Sequence, residues 1–173
     1  MPGAGRGPDE KIVQESVMSM IDIVVKKVQP VKIASIRDVI PTYREQGSLW
    51  RELEIYLGSQ RVRRAGPGFT MYHDEGYKES DVDAEVAEPI VGDLPESRRV
   101  RVRTLPAVEV VSAIHKGPYS TLGEAIEAVI QWTEANNYRI IGPEREIYQR
   151  PPSSGNQTDP ETVTEIQFPV EKI

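Results

Sequence analysis

Glu146 and Tyr148 stand two residues apart in EREIYQR, a stretch read as a strand. Alternate residues of a strand project to one side, so this carboxyl and this phenol share a face. Glu165 and Gln167 repeat the spacing in TEIQFPV, the strand expected to pair with it. If both faces meet in a pocket, two carboxylates and a phenol converge there. A buried carboxylate is unfavourable unless paired, and a cationic or strongly polar ligand would supply the partner. The plainer reading places both glutamates at the sheet surface opposite Arg or Lys, or at an edge strand where they block further pairing.

Aromatic side chains would complete such a site, because their faces stack on flat ligands and attract cations. The chain has only 2 Trp, 7 Tyr and 2 Phe, so their placement matters. Tyr72, Tyr119, Trp132 and Tyr148 fall at matched repeat positions or beside Gly-Pro turns. Trp50 and Trp132 read first as core, since an aromatic at helical spacing usually is; Trp132 is kept as a ligand candidate. Phe168 alternates with Ile166 and reads as core. Tyr119, just before the second helix, fits a pocket mouth. His115 and His73 could titrate near neutral pH. Without a paired nucleophile each is first a hydrogen-bonded structural His.

Other chemistries drop out. There is no Cys, and two His do not build a His-rich zinc site, so no metal or cofactor is expected. P-loop, GxSxG and HExxH patterns do not occur. Across 173 residues, 21 Lys plus Arg against 27 Asp plus Glu leave a net charge of −6. That argues against nucleic-acid binding, which rests on neutralising phosphates. Arg98, Arg99, Arg101 and Arg103 read as a solvated strand face balanced by acidic neighbours. No apolar run approaches the roughly 18 residues of a membrane span. MPGAGRGPDE is not a signal peptide, and a cytoplasmic location is expected.

The elements that position these residues come in two copies. Shifting the sequence by 76 residues gives eight identities over positions 24–72, where roughly three would arise by chance. They include Tyr43 with Tyr119, Gly66-Pro67 with Gly142-Pro143, and Tyr72 with Tyr148. A further four-residue shift aligns Glu85 with Glu165, the extra residues falling in the turn-rich PPSSGNQTDPE. Thr70 stands where the second copy has Glu146, which makes an asymmetric site. Each copy (about 23–90 and 99–170) reads strand, strand, helix, Gly-Pro turn and two strands. Thr121 and Glu124 suggest a capping box for the second helix, and Gly58 a C-terminal cap for the first. The expected fold is α+β: duplicated β-α-β-β units with pseudo-two-fold symmetry, an antiparallel sheet, both helices on one face and a central cleft. Residues 21–173 form one domain, after a flexible tail or short helix over 1–20.

HKGPYSTLGEAIEAVIQWTEANNYRIIGPEREIYQRPP followed by ETVTEIQFPV resembles the GyrI-like small-molecule-binding domain, also found as the effector-binding part of AraC-type and MerR-type multidrug regulators. IPTY, LWRELEIYL, AGPGFTMYHD and DVDAEVAEPI are similar to its first half. The resemblance implies a central pocket for hydrophobic, aromatic and often cationic compounds. The match to the family's Glu-Ile-Tyr run implies a ligand contact for Glu146, and Glu165, Tyr148, Tyr119, Tyr72 and Trp132 are the further ligand-binding candidates. The resemblance also implies an alternative, a hydrolase opening cyclopropane-bearing DNA-alkylating compounds, with Glu146 or Glu165 as general base and Tyr148 orienting or protonating. A protein partner, a regulator or a topoisomerase, is a third implication. The family's regulators carry a DNA-binding domain ahead of this module. About 20 residues precede the first strand here, so no DNA binding by this chain is expected.

Overall fold

A computed structural model describes residues 21–153 and 156–173; the tail or helix expected over 1–20 lies outside them. The elements run β1 (Ile23–Val28), β2 (Val31–Ile40), α1 (Gly47–Gln60), a short β3 (Arg63–Arg64), β4 (Phe69–Tyr72), β5 (Val82–Val91), β6 (Arg101–Leu105) and β7 (Val108–Lys116). A 3-10 turn (Tyr119–Thr121) leads into α2 (Leu122–Ala135), followed by β8 (Tyr138–Ile140), β9 (Glu144–Arg150) and β10 (Val163–Lys172). This is the expected α+β architecture, one antiparallel sheet with two helices.

The strand order is β1-β7-β10-β9-β4-β5-β2-β6, with β3 on β5 and β8 on β10. Outward from the β9–β4 junction both halves read alike. Each half ends on an edge strand borrowed from the other: β1 pairs with β7, and β6 pairs with β2. The links explain the exchange. Pro30 and Pro106 hold the preceding residue extended, so the chain runs on instead of folding back as a tight hairpin.

The registers fix the faces. Ala113, Ile166, Glu146, Thr70, Val86 and Ile36 lie directly opposite one another across six strands, hence on one side. Both helices cover that side. Leu49, Leu53 and Leu57 of α1 pack on Ala34, Ile36, Ala84 and Val86. Leu122, Ala125 and Val129 of α2 pack on Val111, Ala113, Ile166 and Phe168. The other side carries a smaller cluster of Ile33, Phe69, Met71, Ala87 and Leu105.

Two local expectations are corrected. Gly58 lies inside α1, which ends at Arg61 in the left-handed region (φ 52°). The added turn delivers Val62 to the core and Arg63 to its pairing with Val91. Thr121 makes no capping bond; its hydroxyl donates to the Pro118 carbonyl (3.1 Å) and meets His115 Nε2 (2.9 Å).

Candidate ligand-binding site

Between the two helix-packed clusters, the helix face of β9 and β4 presents Glu144, Glu146, Tyr148, Thr70 and Tyr72. Alternation puts 144, 146 and 148 on one side of β9, and the β4 pairing sets Tyr72 opposite Glu144 and Thr70 opposite Glu146. Two edge-to-face tyrosine pairs frame the carboxyls, Tyr43 with Tyr72 (5.1 Å between centroids) and Tyr119 with Tyr148 (6.3 Å). They are the same pair in the two repeats, Tyr43 matching Tyr119 and Tyr72 matching Tyr148. Trp50 of α1 adds an edge contact to Tyr148 at 6.0 Å.

Gln46, at the N-terminus of α1, holds the centre. Its Oε1 accepts from Trp50 Nε1 (3.0 Å) and Thr70 Oγ1 (2.6 Å). Its Nε2 donates to Tyr72 (2.8 Å). Tyr148 donates to Thr70 (2.9 Å) and lies 3.2 Å from Gln46 Oε1. These hydroxyls are therefore oriented by a neutral network, and the carboxyls are left outside it.

Among the described residues no cation pairs with Glu144 or Glu146. Glu146 is 7% exposed, and Glu144 Oε1 is closed off from solvent without a partner. Burial pushes both carboxyls above their usual range, and the charge of Glu146 adds to the rise at Glu144. Two neighbouring carboxyls shut away from water favour keeping a proton, so the pair holds less than two negative charges. Burial, then the Glu146 carboxyl, pushes Tyr119 up to about 12. Tyr148 and Tyr72 are raised as well, chiefly by burial, and stay protonated donors. A third carboxyl, Glu88, lies on the same face close to Trp50; burial raises it to about 7 against the pull of Arg64. The result is an aromatic enclosure with proton-holding carboxyls, two of which, Glu144 and Glu146, have no counter-charge among the described residues.

Of the residues expected at the site, Glu146, Tyr148, Tyr119 and Tyr72 come together. Glu165 does not. It pairs with Ile147, not with Glu146, and so faces the other side of the sheet. There Ser112 (2.7 Å), Gln167 Nε2 (2.8 Å) and Lys26 (2.7 Å) hold it, which lowers its pKa against the effect of burial. The convergence of Glu146 with Glu165 thus fails by one residue of register. The plainer reading, a carboxylate opposite a Lys, describes Glu165. Trp132 stacks on Tyr138 at 6.2 Å, at the far end of α2, and not on the Tyr148 ring set. His73 bonds Glu85 (2.8 Å), while His115 is buried against Thr121 and its pKa is lowered by that burial. Within the arginine cluster Arg99 pairs with Glu52 and Asp38, Arg101 with Glu96 and Arg103 with Glu85. Gln46, Glu144 and Glu88 were not anticipated at this site; Thr70 entered only as the counterpart of Glu146, and Trp50 was read first as core. Tyr43 could have been, from its repeat match with Tyr119.

The family model for the GyrI-like small molecule binding domain matches residues 21–171. The chain belongs to the GyrI-like family. The C-terminal domain of EcmrR superposes with a TM-score of 0.82 at 29% identity, over 89% of this chain and 99% of that one. The EcmrR–DNA complex matches with a TM-score of 0.82 at 25% identity, over 95% of this chain and 69% of that one. Two more distant structures share the fold: a hydrolase from Listeria innocua (TM-score 0.60, 13% identity, 87% and 92% covered) and SAV2435 bound to tetraphenylphosphonium (0.57, 15%, 87% and 94%). No curated protein sequence matches the chain. As a GyrI-like member it is a small-molecule-binding domain. No helix among the described residues is long and apolar enough to cross a membrane.

Proposed function

We propose that this domain senses or sequesters a hydrophobic, aromatic, cationic compound held between α1 and α2. The observation that carries this is the Glu144–Glu146 pair, buried among tyrosines with no cation of the described residues to offset it. A ligand cation would let the pair release its proton and would lie against the Tyr43–Tyr72 and Tyr119–Tyr148 rings. Gln46 occupies the centre of the ring set and would swing aside, its hydrogen bonds to Thr70 and Tyr72 being exchanged for ligand contacts. A protein of the same fold is solved with tetraphenylphosphonium, a ligand of this chemistry. A hydrolase has weaker support, because the hydrolase of this fold is 13% identical and carries the fold alone.

Tetraphenylphosphonium and the neutral triphenylphosphine oxide test the reading by calorimetry. The cation is expected to bind and to release protons, seen as a heat that varies with buffer ionisation enthalpy. Glu144→Gln with Glu146→Gln is expected to weaken the cation about 50-fold, near 2 kcal/mol, and the oxide less than threefold. Equal losses for both ligands would reject the electrostatic role.

A further inference from the structure

Arg145 follows the strand alternation to the side of the sheet that the helices leave uncovered, opposite Met71 and Gln167. It is only 8% exposed. Among the described residues its side chain makes no hydrogen bond and no ion pair, and its Nε is closed off from solvent without an acceptor. The other buried charges of this side are handled differently. Glu85 is met by Ser35, His73 and Arg103, and Glu165 by Ser112, Gln167 and Lys26. The repeat sharpens the contrast: 145 − 76 = 69, so Arg145 stands where the first copy has Phe69. A core position of one half has become a cation in the other.

Arg145 lines a cleft of about 180 Å³, with Val31, Phe69, Pro89 and Ile147 as apolar walls and Gln167 beside it. The Ala65–Pro67 loop forms one rim, fixed by the Ala65 N–H donating to the Pro89 carbonyl (2.9 Å). A guanidinium stays charged even when burial disfavours the charge, so the anion must come from elsewhere. We infer that this cleft is a second binding site, separate from the helix-face site, for a small monocarboxylate with an apolar body.

The chemistry selects that class. The planar fork of Arg meets a carboxylate with two parallel hydrogen bonds. The walls are hydrocarbon, so the rest of the ligand is apolar. At about 180 Å³ the cleft has room for one ring or a short chain. A multiply charged anion fits poorly, because Arg145 is the one cation among the described residues lining the cleft. Arg145 and Glu146, adjacent in sequence, would thus serve ligands of opposite charge on opposite sides of one strand.

The full chain titrated with benzoate and hexanoate, against benzamide as the uncharged counterpart, tests this. The acids are expected to bind at least tenfold more tightly than the amide. Arg145→Gln is expected to abolish that preference, and Ile147→Trp, which fills the cleft and leaves the charge, to abolish binding of all three. Glu146→Gln is expected to leave benzoate affinity unchanged, so this proposal and the helix-face reading fail separately. With no ligand, Arg145→Leu is expected to raise the thermal midpoint, since it removes an uncompensated buried charge. Acid and amide binding alike, benzoate affinity surviving in Arg145→Gln, no acid binding at millimolar concentration, or a lower midpoint in Arg145→Leu would each overturn the site.

Discussion

Glu85 and Glu146 are buried in the same sheet, two strands apart, and the molecule treats them in opposite ways. Glu85, on the uncovered side, accepts from Ser35 (2.6 Å), His73 (2.8 Å) and both Nη atoms of Arg103. Burial alone would raise its pKa, but these bonds hold it well below the usual carboxylate range. Glu146, on the helix side, has no cation paired with it among the described residues, and burial raises its pKa. A satisfied buried carboxylate contributes to folding. An unsatisfied one costs stability until something binds, which is the thermodynamic signature of a site.

Breaking the satisfied cluster should give the largest effect. Arg103→Met leaves Glu85, among the described residues, with only His73 in ion-pair contact, itself charged only when protonated. Arg103 is 42% exposed, so the loss is expected near 2 kcal/mol, below the 3–5 typical of a fully buried pair. Urea denaturation at pH 7 measures it. A loss below 0.5 kcal/mol would make Glu85 a solvated surface acid and dissolve the contrast with Glu146.

The same operation on the helix face should have the opposite sign. Glu144→Gln with Glu146→Gln is expected to stabilise the ligand-free chain by about 1.5 kcal/mol at pH 8. The pH dependence follows from the directions of the shifts. Glu144, Glu146 and Glu88 have raised folded values, so the fold holds protons that the unfolded chain releases. Their contribution is present below about pH 4.5 and is lost as pH rises, for Glu88 through about 7. Glu85 and Glu165 have lowered values, and theirs is lost as pH falls below about 4.5. Thermal midpoints of the ligand-free protein should peak near pH 5 and decline towards pH 8. The double variant should flatten the decline and leave the acid limb in place. A midpoint lower than wild type at pH 8 would show that the carboxyl pair is structural.

How much of this was legible in the sequence depends on which period carried it. The fold was, because the repeated Tyr, Gly and Pro positions and the helix and strand spacings are local. Glu146, Tyr148, Tyr119 and Tyr72 were, because a strand's alternation and a repeat's register are also local. The face of Glu165 was not. It depends on which residue of β10 lies opposite Glu146, and that residue is Ile166. Gln46, and the contact of Trp50 with Tyr148, escaped for a similar reason. They reach the site from α1 of the other half, at long sequence separation. The borrowed edge strands were equally hidden, since the chain neighbours β1 and β2 look like a hairpin.

The two copies also differ from each other, and that gives the smallest and most discriminating effect. Glu165 repeats the Glu85 cluster position by position: Ser112 for Ser35, Gln149 for His73 and Lys26 for Arg103. A single ammonium replaces a guanidinium that bonds through two of its nitrogens, and a neutral amide replaces an imidazole. Lys26 is 45% exposed, and Glu165 keeps three neutral donors without it. Lys26→Met is therefore expected to cost about 1 kcal/mol or less, roughly half the Arg103→Met loss under the same urea protocol. Lys26→Arg should restore wild-type stability or exceed it, because the fork reproduces the Arg103 geometry. A Lys26→Met loss equal to or larger than that of Arg103→Met would mean that the neutral donors do not compensate. The asymmetry between the copies would then lie in the backbone and not in the charge partners.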